Sequence, residues 1–215
     1  MLLKFNSGLR IAISPIFPWE SRREGLLRIR SPKAFNPDHV TTRLCLRLLD
    51  EQCSIASYQS LLDVGCGSGI LALTGARLGI PLIVGFDTDV RAVRNSIENA
   101  KANGLSANLH WFVGTSEVVR ESFDCIIANL PSPILYKVLE DLLRLSKPGG
   151  HLILSGFHDI HWTPLRDRLV YRGYSVLRQL CGDRSFFGVP PSGSFTWMAV
   201  LLESPEYGVR PRTTE

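Results

Sequence analysis

Residues 61–71 read Leu61-Leu62-Asp63-Val64-Gly65-Cys66-Gly67-Ser68-Gly69-Ile70-Leu71. The apolar run Leu61, Leu62, Val64 suits a central parallel strand buried on both faces. Glycine at every second position then lets the backbone bend sharply and lets a ligand lie against it. A second apolar run opens a helix. Strand, glycine bend and helix together define a nucleotide-type pocket. The spacing restricts the nucleotide. A dinucleotide fingerprint needs its third glycine one place later, where this chain has Ile70, and no Lys-Ser or Lys-Thr pair follows the glycines, so a phosphate-binding loop is excluded as well.

Outward from the loop, the next apolar run, Leu82-Ile83-Val84-Gly85-Phe86-Asp87, ends in an acid about 20 residues on. At the carboxyl end of a neighbouring strand, that carboxylate can accept both hydroxyls of a ribose. Asp89 reads instead as a helix N-cap, because Val90, Val93, Ile97 and Ala100 recur behind it at helical spacing. An acid and alternate glycines, followed by a second acid in register, resemble the opening of class I S-adenosylmethionine (SAM) methyltransferases. The resemblance implies cofactor contacts at Asp63, Gly65, Cys66, Gly67, Gly69, Asp87 and Thr88.

The 215 residues, 45% of them hydrophobic, suffice for one α/β domain with a small extension. The five cysteines, Cys45, Cys53, Cys66, Cys125 and Cys181, include no CxxC pair and no companion His cluster. That argues against zinc and disulfides, and no metal is expected. Cys66 reads as a small packing residue. No apolar stretch approaches a membrane span and no secretory leader is evident, so a cytoplasmic protein with no membrane partner is expected. The net charge of +4 is mild, although Arg10, Arg22, Arg23, Arg28, Arg30 and Lys33 gather near the start. RNA binding and a plain solvated face are both open to that cluster.

Strand and helix signals alternate from residue 34, the pattern of a parallel sheet with crossover helices. Strands are expected at 60–64, 82–86, 109–113, 125–128 and 151–155, with a late antiparallel pair at 174–180 and 195–202. Helices are expected around Val40, Leu44 and Leu48, then at 70–78, 90–102, 133–145 and 163–171. The fold class is α/β, a Rossmann-like class I methyltransferase fold with a seven-stranded, mostly parallel sheet. Residues 1–33, with short strands at Leu9–Ser14 and Leu26–Ile29, read as a β-hairpin extension. Residues 34–205 form the methyltransferase domain and 206–215 a disordered tail. The long loop Gly182 to Ser194 has a substrate-facing lip among its possible roles.

Several segments resemble the catalytic domain of the ribosomal protein L11 methyltransferase family. They are Ala34-Phe35 with His39-Val40-Thr41-Thr42, the loop Asp63 to Gly69, Asp124-Cys125-Ile126-Ile127-Ala128-Asn129-Leu130, and Lys147-Pro148-Gly149-Gly150 through Gly156. The resemblance implies a protein substrate, possibly ribosomal, and adds Phe35, Thr41 and Thr42 to the cofactor set. It departs at Asn36-Pro37-Asp38, where the family's turn is rich in Gly and Thr. The family's separate N-terminal recognition domain is also too large for residues 1–33 to encode.

Methyl transfer from a sulfonium is an in-line displacement, so the catalytic demand is chiefly positioning. Asn129-Leu130-Pro131-Ser132 is similar to the Asn-Pro-Pro-aromatic motif of amino methyltransferases. In that geometry the Asn129 side-chain oxygen and the Leu130 carbonyl accept the target N–H groups, Pro131 holds the turn, and Asn129 also borders the cofactor. Ser132 in place of an aromatic argues against a stacked nucleobase. Asn129 as a plain turn residue stays open. A protonated amine must lose a proton, and His39 and Asp38 are candidates to take it, while His39 as a helix cap stays open too. Adenine would sit by Gly114-Thr115-Ser116. The expectation is a SAM-dependent N-methyltransferase acting on a protein amino group, with S-adenosylhomocysteine as product. An RNA methyltransferase and a non-catalytic SAM-binding subunit are the alternatives.

Overall fold

The computed structural model describes residues 2–14, 26–30, 37–182 and 196–206. Ten strands and five α-helices alternate along it: β1 (Leu2–Lys4), β2 (Arg10–Ser14), β3 (Leu26–Arg30), α1 (Val40–Cys53), β4 (Ser60–Val64), α2 (Ile70–Arg77), β5 (Leu82–Asp87), α3 (Val90–Ala102), β6 (Leu109–Val113), β7 (Phe123–Asn129), α4 (Ser132–Leu145), β8 (Ser146–His158), α5 (Trp162–Tyr171), β9 (Ser175–Gly182) and β10 (Trp197–Glu203).

The main sheet has seven strands in the order β6-β5-β4-β7-β8-β10-β9. Only β10 runs against its neighbours, pairing antiparallel with both β8 and β9. The expected seven strands and terminal antiparallel pair are present. Consecutive residues in the central strands serve opposite cores. Leu61, Cys125, Ile127 and Ile153 pack with α1 and α2, whereas Leu62, Ile126, Ala128, Leu152 and Leu154 pack with α4 and α5. Burial on both faces is why these strands read as unbroken apolar runs. The order reverses beside β4, and the crevice at that point opens at the carboxyl ends of β4, β5 and β7.

The N-terminal segment corrects its sequence reading. The two expected strands exist, but β2 and β3 pair in parallel, and the antiparallel hairpin is β1 with β2, turned at Gly8 with φ 85°. Alternation of Leu9 and Ile11, and of Leu27 and Ile29, marks strands without encoding direction. The three-stranded sheet is also no appendage, because those four residues belong to the same core as α1 and α2. The buried Asp50 of α1 accepts the Asn6 N–H at 3.1 Å and so ties the β1–β2 turn to the domain.

Two further differences concern boundaries and faces. β8 begins at Ser146, ahead of the expected start at His151, because Phe123 pairs with Ser146 across a register shift. On α3 the apolar stripe is only partly buried, with Val90 exposed, while Asn95, Ser96 and Asn99 are buried. The loop 183–195 and residues 207–215 lie outside the described residues, as does Phe35.

Candidate functional site: a cleft at the carboxyl edge of the sheet

The glycine loop is held by a dense set of hydrogen bonds. The N–H groups of Gly65 and Cys66 both donate to the Phe86 carbonyl at 2.9 Å, and the Gly67 N–H donates to Asp87 at 3.1 Å. Three backbone donors that a phosphate cradle would leave outward are thus committed to the protein. Gly65, Gly67 and Gly69 sit at φ 74°, 55° and 76°, in the left-handed region that favours glycine. A Cβ on Gly69 would also meet Ser96 and Trp111. From α3, Ser96 Oγ donates to the Gly67 carbonyl at 3.2 Å and Asn99 Nδ2 to that of Ser68 at 2.8 Å.

Asp87 ends β5 with both oxygens anchored, one by Gly67 and the other by the Asp89 N–H at 2.9 Å. Its side chain is thereby aimed into the cleft, which it lines. Asp89 caps α3 through the Arg91 N–H and pairs with the Arg91 guanidinium, which leaves Asp87 as the acid facing the cleft.

Asp63 lies beneath the loop. Its Oδ2 accepts the Ala72 N–H of α2 at 3.1 Å, and its Oδ1 is buried with no hydrogen-bond partner. Burial raises its pKa to about 7; the Ala72 bond opposes that rise and nearby Asp87 adds to it. Burial likewise pushes the Cys66 thiol well up, with Asp63 adding to the effect. Cys66 is therefore a neutral packing residue that accepts a bond from Ser96, as its place in the loop predicts.

On the opposite wall, Asn129 Nδ2 donates to Thr42 Oγ1 at 3.2 Å. With the amide nitrogen turned to α1, the carboxamide presents its oxygen as an acceptor. The next peptide is fixed by the Leu130 N–H donating to the Ser155 carbonyl at 3.0 Å. Gly156, at φ 92°, lies directly against the Leu130 carbonyl, where any Cβ would collide with that peptide. Pro131 precedes α4.

His39 is the N-cap of α1: its Nδ1 accepts from the Thr41 N–H and lies 2.9 Å from Thr41 Oγ1. Its ring meets Trp197 edge-on at 4.8 Å, and Trp197 packs on His158 at 3.7 Å. Asp38 is ion-paired with Arg43.

These walls enclose a cleft of about 420 Å³, inside the roughly 300–1,000 Å³ span of small-molecule sites. Of the expected residues, His39, Thr41, Thr42, Gly65, Cys66, Gly67, Asp87, Asn129 and Pro131 line it. Asp63, Gly69 and Leu130 are not among its lining residues. Thr88 and Thr115 are exposed and do not line the cleft. Ser116 departs from its expected role. It is buried and donates its hydroxyl to Asp141 of α4 at 2.7 Å, and its carbonyl accepts from Arg144, so its polar side is turned to α4.

Sequence reasoning missed Pro37, Ser68, Ile70, Leu71, Gly156 and Trp197 as lining residues. A lone glycine inside a strand pattern signals close backbone approach, and Gly156 carries that signal. Trp197 becomes readable once β10 is antiparallel, because its first residue then pairs with His158 at the carboxyl end of β8. Among the described residues, the lining includes one carboxylate and neither lysine nor arginine. A ligand with positive character is favoured there over a phosphate-bearing one.

The fold is that of class I methyltransferases. A solved structure of a ribosomal protein L11 methylase from Lactobacillus delbrueckii subsp. bulgaricus superposes with a TM-score of 0.75 at 20% identity, over 95% of this chain and 97% of that one. An N-methyltransferase, NodS from Bradyrhizobium japonicum, solved with S-adenosyl-L-homocysteine, aligns with a TM-score of 0.59 at 15% identity, over 80% and 91%. The chain belongs to the ribosomal protein L11 methyltransferase family, whose profile matches residues 7–180. The L11 methyltransferase of Sorangium cellulosum is 35% identical, over 92% of this chain and 67% of that protein. Of two further such relatives the chain spans 61% and 56%. Among the described residues, no helix is long and apolar enough to cross a membrane.

Proposed function

We propose that the chain is a SAM-dependent N-methyltransferase that methylates a protein amino group, with a ribosomal protein as the substrate class. Family membership supports the reaction and the substrate class. The observation that carries the reading is the pairing of two walls across one cleft: an anchored Asp87 beneath a glycine loop, and an Asn129 carboxamide locked by Thr42. Asp87, the loop from Gly65 to Ser68, and Thr41 would hold the cofactor. The buried Asp63, with one oxygen unpartnered and its carboxyl pushed up to about 7 by burial, lies beneath it. When bound, the cofactor supplies an electrophilic methyl carbon on a sulfonium.

The protein's contribution is geometric. Asn129 Oδ1 accepts one N–H of the incoming amine, and the Leu130 carbonyl accepts a second, so the nitrogen lone pair is aimed along the line of displacement. An amine arriving in its ammonium form must first shed a proton, which frees the lone pair for the methyl carbon that the cofactor would present. His39 lines the cleft, held by Thr41 and Trp197, and can pass that proton to water. Asp38 is committed to Arg43 and is dropped as a candidate base.

The test is incubation with methyl-labelled SAM and fractionated cell extract, following label into protein, RNA and small molecules, with Asp87→Ala alongside. Label in a protein band that the variant loses is the expected outcome. Label in RNA would replace the substrate class, and binding without transfer to any pool would refute the enzymatic reading.

A further inference from the structure

Two carboxamides, Asn99 on α3 and Asn103 at its C-cap, perform almost the same task. Asn103 accepts the Arg28 N–H at 2.8 Å, donates Nδ2 to the Arg28 carbonyl at 2.7 Å, and gives its remaining proton to the Asn99 carbonyl of its own helix at 2.8 Å. Asn99 accepts the Arg30 N–H at 2.9 Å and donates Nδ2 to the Arg30 carbonyl at 2.9 Å. Its remaining proton goes to the carbonyl of Ser68 in the glycine loop at 2.8 Å. Four helical residues rise about 6 Å and two strand residues about 6.6 Å, so side chains at i and i+4 meet alternate residues of β3. Asn99 is fully buried, and both its donors and its acceptor are used.

We infer that Asn99 is a positioning residue that clamps the glycine loop to the N-terminal sheet. Ligand affinity in the cleft therefore depends on β3, although no residue of β3 lines it. Ser68 does line the cleft, and its carbonyl would be left buried and unpaired without Asn99, which makes the loop sensitive to this one side chain. The outer part of the loop would then keep the Ser96 and Asp87 bonds and its own bond from the Gly69 N–H to the Cys66 carbonyl. The consequence for affinity rests on the cofactor reading above; the clamp itself rests on the hydrogen bonds.

Asn103 supplies a matched control, since it makes the same rungs to β3 without the bond to the loop. In the 215-residue chain, Asn99→Ala and Asn103→Ala should both lower Tm, the first more because its site is fully buried. S-adenosylhomocysteine should bind about 10-fold more weakly to the first and within about 2-fold of the parent for the second. Amide hydrogen exchange over residues 66–70 should accelerate only in Asn99→Ala. Asn99→Asp keeps an acceptor for the Arg30 N–H and removes both donors, and it should loosen the same amides should the alanine variant fold poorly. Equal affinity and equal loop exchange in the Asn99 and Asn103 variants would overturn the clamp. A parent chain that binds no S-adenosylhomocysteine would instead remove the cofactor reading, leaving loop exchange to decide the clamp.

Discussion

The two walls of the cleft are held by different numbers of groups. The glycine-loop wall is fixed at several separate points: Phe86, Asp87, Ser96 and Asn99 each hold a different part of it. The acceptor wall turns on one carboxamide oriented by one hydroxyl, with Gly156 letting the Leu130 peptide lie close. The first arrangement suits a ligand shared by a whole fold class. The second concentrates function in few atoms, so single substitutions there should separate turnover from binding.

The largest expected effect lies beneath the loop wall. Unfolded, Asp63 loses its proton near 3.8; folded, it keeps it until about 7. Between those values the native state holds more protons, so stability falls as pH rises through that window and stays low above it. The total is on the order of 4 kcal/mol. Urea melts from pH 4 to 8 should show this slope in the parent and a flatter profile in Asp63→Asn; parallel profiles would remove the buried-acid account.

Asn129→Ala comes next. Turnover should drop about 100-fold, on the order of 2.7 kcal/mol of transition-state stabilisation, with S-adenosylhomocysteine affinity nearly unchanged. Steady-state kinetics beside calorimetry would check it, and a matching loss of affinity would blur the division between the walls. Asp87→Ala should do the reverse, weakening S-adenosylhomocysteine binding about 30-fold, or about 2 kcal/mol, through two lost hydroxyl bonds. The smallest effect belongs to Thr42→Val, which frees the Asn129 amide to rotate. Turnover should fall about 5-fold, in keeping with about 1 kcal/mol for one neutral hydrogen bond.

The same contrast explains what could be read from the sequence. The bounds of β4, α3 and β6 coincide with their expected spans because buried strands and capped helices leave strong local patterns. Glycine spacing likewise exposed the loop wall. The parallel pairing of β2 with β3 stayed hidden, since alternation in a short strand carries no direction. The Asn99 rung stayed hidden because counting apolar residues along α3 passes over a buried polar stripe, and the Asn103 rung because it sits at the half-buried C-cap just past the helix. Trp197 reaches the cleft through the antiparallel turn of the chain, a relation set by topology and invisible to local motifs. Ser116 reads as a surface hydroxyl ready for a ligand until Asp141 of α4, 25 residues away, is seen to take it.

The central claim is that this cleft, with one carboxylate, no lysine or arginine among its described lining, and loop amides already committed, selects an adenosyl ligand of positive character over a phosphate-bearing nucleotide. Calorimetric titration of the purified chain with S-adenosylmethionine, with NAD and ATP as competitors, tests it most directly. The account predicts saturable binding of S-adenosylmethionine that neither competitor displaces. Displacement by NAD or ATP at comparable concentration, or tighter binding of either, would contradict it.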